Sequence, residues 1–240
     1  MIFRNVFKSI IIASAMIISA FLIHGARPKV ELSQPGPEYI RATGKCATCH
    51  LQETSAIVHQ FSMSKHASKN ITCYDCHRAQ NNQEEIDHKG FTIAKSLTAL
   101  NCSQCHTTEY SQFLRSRHGA PAWAAVTGDE DFTEKQIDFA EKYHPGSVKR
   151  DANKLAIAEG PGVMEKGCMA CHSVGKPNTD GSIGNCTSCH ARHSTSIALA
   201  RQPETCGQCH MGPDHSQLEI YNESKHGVLY SLQKPWLNLN

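Results

Sequence analysis

Aromatic residues make up only 7% of this 240-residue chain, and apolar residues reach 40% only when every cysteine and the N-terminal apolar run are counted. That is thin material for a hydrophobic core in a chain of this length. Beyond residue 30 nothing is apolar enough to span a bilayer. No stretch alternates convincingly as a strand. The charge is nearly balanced, with 24 Lys and Arg against 22 Asp and Glu, so a basic nucleic-acid surface is not supported.

What the chain does have is cysteine in one arrangement. All 12 cysteines fall into six CxxCH units with none left over: Cys46, Cys49 and His50; Cys73, Cys76 and His77; Cys102, Cys105 and His106; Cys168, Cys171 and His172; Cys186, Cys189 and His190; Cys206, Cys209 and His210. In such a unit two thiols add to haem vinyl groups and the histidine binds iron, and the spacing puts all three on one helical face. Zinc and disulfides also use CxxC pairs but do not explain the fifth position. With 15 histidines in the chain, chance would place one after all six pairs with a probability on the order of 10⁻⁷. Six covalently bound c-type haems are therefore expected. They would add about 12 propionate charges, taking the formal +2 to about −10 with all irons ferrous and about −4 with all ferric.

Haems explain the missing core: the expected fold is mainly α, with short helices and loops wrapped around packed haems and an apoprotein that folds poorly. Arg4 and Lys8 precede an apolar run from Ile10 to Ile23, the layout of a secretory signal over residues 1–26. His24 sits where a small residue is preferred before cleavage, so an uncleaved membrane anchor fits the same residues. Export to the periplasm or beyond follows in either case. Residues 27–118 hold three motifs, 119–167 form a haem-free helical connector, and 168–240 hold three more with a short tail. In the connector Thr133 and Gln136 make a helix N-terminal box and Pro145 ends the helix. Gly175 to Asn185 reads as a turn-rich loop. Haems packed this densely would exchange electrons, the minimal function.

Apart from His24, eight histidines lie outside the motifs. Three share a context: Phe61-Ser64-His66-Ala67, Phe113-Ser116-His118-Gly119 and Tyr221-Ser224-His226-Gly227. Each reads as a distal haem ligand near a helix end, the small residue letting a haem plane approach; an ordinary helix cap has the same look. His88, His193 and His144 are further distal candidates, with His59 behind them. Pro213 stiffens the turn that carries Asp214 and His215, and the pair suits proton transfer.

The run from Gly184 to Gly227, with GPDH and YNESKHG its most specific parts, resembles the hydroxylamine oxidoreductase family of multihaem cytochromes. So do GCMACH at the fourth motif and YHPG in the connector. Family members are mainly α-helical trimers carrying eight haems, all but one with two axial histidines. The resemblance implies that the exception is the haem on Cys168, Cys171 and His172, with Asp214 and His215 over its open face, where a small nitrogenous substrate binds. Members continue to two further haems and a cross-linking tyrosine, whereas this sequence stops at Asn240 and reads as truncated. Cross-linked members are associated with hydroxylamine oxidation, the others with reduction of nitrite or hydroxylamine. Without the tyrosine the direction stays open. The partner implied is a cytochrome or a quinone-linked protein. The competing reading is a pure electron carrier with every iron six-coordinate. A Lys-ligated enzyme is disfavoured, since the chain has no CxxCK.

Overall fold

Three helices begin on the same device. Thr72, Thr98 and Thr133 each accept a backbone N–H with the side chain while the residue three positions on, Asp75, Asn101 or Gln136, accepts the threonine's own N–H. This reciprocal box satisfies amides that a helix start otherwise leaves bare. Residues 44–213 and 215–239 are described by the computed structural model. The expectations for residues 1–26 and for Asp214 lie outside the described residues.

The first half runs α1 (Gly44–Glu53), α2 (Ser55–Ser62), α3 (Cys73–His77), β1 (Glu85–His88), β2 (Phe91–Ala94), α4 (Ala99–Ser103) and α5 (Thr107–Leu114). The connector supplies α6 (Ala120–Thr127), α7 (Glu134–Tyr143) and α8 (Lys154–Glu159). Then come α9 (Pro161–Val163), a π-helical turn (Met164–Cys168), α10 (Met169–His172), α11 (Ile197–Ala200), α12 (Pro203–Cys206), α13 (Gln217–Glu223) and α14 (Lys225–Gln233). The mainly helical expectation holds. Among the described residues no helix is long and apolar enough to cross a membrane.

The expectation of no strands fails at one place. β1 and β2 pair antiparallel with His88 opposite Phe91, leaving a two-residue turn of Lys89 and Gly90, both at positive φ (56° and 83°). That is the turn whose twist suits a tight hairpin. β1 is exposed along its whole length, so burial imposes no alternation on its sequence.

The protein's own core sits in and around the connector. Ala120, Ala124, Phe132, Ala140, Val148 and Ile183 are buried together, with Phe113, Leu114, Trp123 and Ile137 packed against them. Three of the six buried residues are alanines. α7 ends at Tyr143, with His144 capping it ahead of Pro145, as expected. Beyond it the Glu141 carboxylate accepts the amides of Gly146, Val148 (2.7 Å) and Lys149 (2.8 Å), which folds the YHPG loop back and buries Val148. These amides also hold the Glu141 carboxyl below its ordinary range.

The turn-rich loop is a clasp between sequence-distant parts. Asp180 accepts from the Thr98 hydroxyl (2.6 Å), the Gln83 amide (2.9 Å), and the amide (2.9 Å) and hydroxyl (2.7 Å) of Ser182. Partial burial pushes the Asp180 carboxyl up, but hydrogen bonds from Ser182, Thr98 and Gln83 outweigh it and hold the group below its usual value. A carboxyl lowered on folding stabilises the fold above the unfolded pKa of about 3.9, and that contribution is lost as pH falls through the folded value. Asp180→Ala is expected to lose about 1–2 kcal/mol at neutral pH, exposure having trimmed the worth of hydrogen bonds to a charged group. Denaturant unfolding of the holoprotein over a pH series should show this gap closing in acid.

Candidate haem sites

Each CxxCH unit is a helical turn. α1 and α3 contain one outright, the fourth unit runs from the last residue of the π-helical turn through α10, and in the third, fifth and sixth units the histidine amide donates to the carbonyl of the first cysteine at 3.0 Å (Cys102, Cys186, Cys206). Local hydrogen bonding alone thus turns two sulfurs and an imidazole to one side.

Four of the proximal imidazoles face a histidine from elsewhere in the chain. Ring centres are 6.1 Å apart for His50 and His88, 6.3 Å for His77 and His193, 5.9 Å for His66 and His106, and 6.0 Å for His118 and His210. A metal ion between two imidazoles sets this spacing: two metal–nitrogen bonds of about 2.0 Å, plus about 1.1 Å from each nitrogen to its ring centre, span about 6.2 Å. These sites fit axial ligation. The interplanar angles fall into two parallel pairs (21° and 18°) and two crossed pairs (85° and 80°). Burial is the main cause lowering the affinity of His66, His77, His190 and His193 for a proton, which keeps the neutral, metal-binding form.

Several Nδ1 atoms are engaged, which leaves Nε2 for a metal. His50 Nδ1 meets the Thr54 hydroxyl at 2.7 Å, His66 Nδ1 the Thr195 hydroxyl at 2.8 Å, and His172 Nδ1 the Ala122 carbonyl at 2.6 Å. His144 is the reverse case: its Nε2 lies 2.8 Å from the Arg115 carbonyl, which speaks against its expected ligand role. Among the described residues no proximal imidazole faces His59, His144 or His226, and no imidazole faces His172 or His190. His215 lies 6.5 Å from His210 at 65°, but His118 is the closer ring there.

The thrice-repeated Ser-x-His context is a true structural repeat. The serine amide donates to the carbonyl of Phe61, Phe113 or Tyr221 at 2.9, 2.9 and 3.0 Å. The serine hydroxyl then accepts the amide of Ala67, His118 or Gly227. His226 accordingly sits at the start of α14, with Ser224 as its cap. The small residue answers first to this turn: a Cβ at Gly119 would lie 3.0 Å from the Phe113 carbonyl, and one at Gly227 would overlap that of Tyr221.

The sulfurs give the order in which the units meet. The Cys46 thiol adds to the rise that burial imposes on Cys73, and Cys105 to that on Cys76. Cys102 is hydrogen-bonded to Cys186 and held as the thiol. Burial and nearby Cys206 raise Cys189, and burial with a bond to Cys171 pushes Cys209 up to about 11. Thioether formation removes all these titrations, but the neighbour order stands: first, second, third, fifth, sixth, fourth. Among the described residues no group of three or more His, Cys, Asp or Glu side chains converges as a zinc site would require.

Paired imidazoles above CxxCH turns define a multihaem c-type cytochrome with covalently bound haem. The chain belongs to the seven-times multi-haem cytochrome CxxCH family, whose profile matches residues 69–240. It is 31% identical over 202 residues to the probable nitrite reductase-hydroxylamine oxidoreductase fusion protein of Kuenenia stuttgartiensis, covering 79% of this chain and 22% of that protein. Among solved structures it resembles a hypothetical multiheme protein (TM-score 0.57, 23% identity, 89% of this chain and 52% of that one). It also resembles the Kuenenia stuttgartiensis reducing HAO-like protein complex (TM-score 0.52, 26% identity, 84% of this chain and 38% of that one). The chain thus spans about a fifth of the fusion protein and about half or less of these structures. The recognised resemblance is borne out, and the fold with it.

Proposed function

We propose that this is an exported six-haem cytochrome that carries out redox conversion of a small nitrogen compound at the fourth motif, hydroxylamine or nitrite being the substrates in view. The environment of His172 carries the reading. Its Nδ1 is fixed by the Ala122 carbonyl at 2.6 Å, its motif opens on the last residue of the π-helical turn, and no described imidazole faces it, a condition His190 shares. π-Helical turns recur at functional sites. Bound haems would supply electron transfer and, at this motif, the redox-active iron that meets the substrate.

The chain's own residues do the rest. Cys168 and Cys171 would anchor the group, His172 would hold iron through Nε2, and Asp214 with His215 would move protons. His193, His88, His66 and His118 complete the second, first, third and sixth sites. His226, with His59 behind it, is the candidate for the fifth, because His144 gives its Nε2 to the Arg115 carbonyl. The redox partner is a cytochrome or a quinone-linked protein. A trimer and an N-terminal anchor in residues 1–26 belong to the same proposal. Intact mass of the exported protein should show six haems, and electron paramagnetic resonance a single high-spin iron that shifts on adding hydroxylamine or nitrite. Fewer haems would overturn the count. Uniformly low-spin irons would leave an electron carrier, the role the four facing imidazole pairs would serve by themselves.

A further inference from the structure

Thr195 is strained where it stands. Its φ is +44°, a left-handed conformation that glycine or asparagine takes easily and a β-branched residue resists. The strain has a visible effect: with its amide on the Ala191 carbonyl (2.7 Å), Thr195 presents its hydroxyl to His66 Nδ1 at 2.8 Å, in a part-buried contact spanning 129 positions of sequence. His66 in turn faces His106 of the third motif at 5.9 Å. Strained side chains with a specific contact cluster at working sites.

We infer that Thr195 is a positioning residue for His66, fixing its tautomer and ring plane. Through it, the segment bearing the fifth motif's His190 sets the redox equilibrium at the third motif. The inference rests on reading His66 as the distal ligand there. The hydroxyl accepts the Nδ1–H, which leaves Nε2 free for iron and makes the imidazole a stronger donor. A stronger donor favours ferric iron. The same short segment also brings in His193, which faces His77 at 6.3 Å. Residues 190–195 therefore touch three haem sites at once.

The test uses the full holoprotein and three variants. Thr195→Gly removes the hydroxyl and relieves the backbone, so it should fold at least as well as the parent. Thr195→Ser restores a hydroxyl. His66→Ala marks which low-spin signal belongs to the third motif by turning it high-spin. In Thr195→Gly that same signal should change its g-values, and its potential should rise by about 59 mV, about a tenfold shift in the ferric–ferrous ratio. Thr195→Ser should return both toward the parent. If Thr195→Gly leaves that signal and its potential unmoved while His66→Ala turns high-spin, the inference fails and the ligand assignment survives. If His66→Ala stays low-spin throughout, the ligand assignment itself fails.

Discussion

His215→Ala is expected to slow turnover of hydroxylamine or nitrite about 10²–10⁴-fold, the worth of a positioned proton-transfer group, while haem content and the low-spin spectrum stay as they were. The turn that carries it is held at both ends. Gly212 sits at φ +78°, its amide donates to the Glu219 carboxylate at 3.1 Å, and the Leu218 amide donates to the His210 carbonyl at 3.1 Å. The His215 amide itself donates back to the Gly212 carbonyl (3.3 Å). Such a turn keeps a side chain in place without helical continuation from the sixth motif. Axial ligation by His215 loses ground on position, since His118 faces His210 more closely than His215 does. Asp214→Asn should slow turnover alongside His215→Ala, since a carboxylate can orient the imidazole that moves the proton. If His215→Ala converts a low-spin haem to high-spin, His215 is an axial ligand after all. Unchanged turnover in both variants would reduce the pair to a piece of the turn.

His193→Ala should have the largest structural effect. Its ring faces His77 at 6.3 Å, nearly parallel to it, so its loss should add one high-spin haem without changing the number of covalently bound haems. It should also destabilise the fold. A link from His77 through iron to His193 closes a loop of roughly a hundred residues, and a bond of that kind is worth about 4–5 kcal/mol in the chain-entropy account of cross-links. Free imidazole separates the two effects. It should restore the low-spin spectrum of His193→Ala but not its resistance to denaturant, because the added ligand carries no tether. His144→Ala, by contrast, should leave the spectrum alone. A His193→Ala protein that stays low-spin without added imidazole would sink the assignment.

Some devices were legible because they are local. Thr133 and Gln136 spell their helix start by a three-residue spacing, and Pro145 spells its end. The equivalent boxes at Thr72 and Thr98 use Asp75 and Asn101 in place of Glu or Gln, and they passed unread. The hairpin was missed because its first strand buries nothing. The repeated Ser-x-His turn was visible as a pattern, yet its reason, the nearby aromatic carbonyl, is a three-dimensional fact.

By itself the sequence determined the chemistry and the fold class: covalent haem, from cysteine and histidine spacing within single helical turns; a mainly helical chain, from the lack of alternation and of apolar bulk; and the family, from short motifs whose residues adjoin. Pairing across the chain was decided only by the tertiary structure. Nothing near His77 in sequence points to His193, nothing near His66 points to Thr195, and nothing in YHPG reveals that Arg115 claims the Nε2 of His144. The physical reason is reach. A CxxCH turn is fixed by hydrogen bonds three and four residues long, whereas a distal ligand is fixed by where the chain returns after many tens of residues, set by the connector core and clasps such as Asp180 on Thr98 and Gln83.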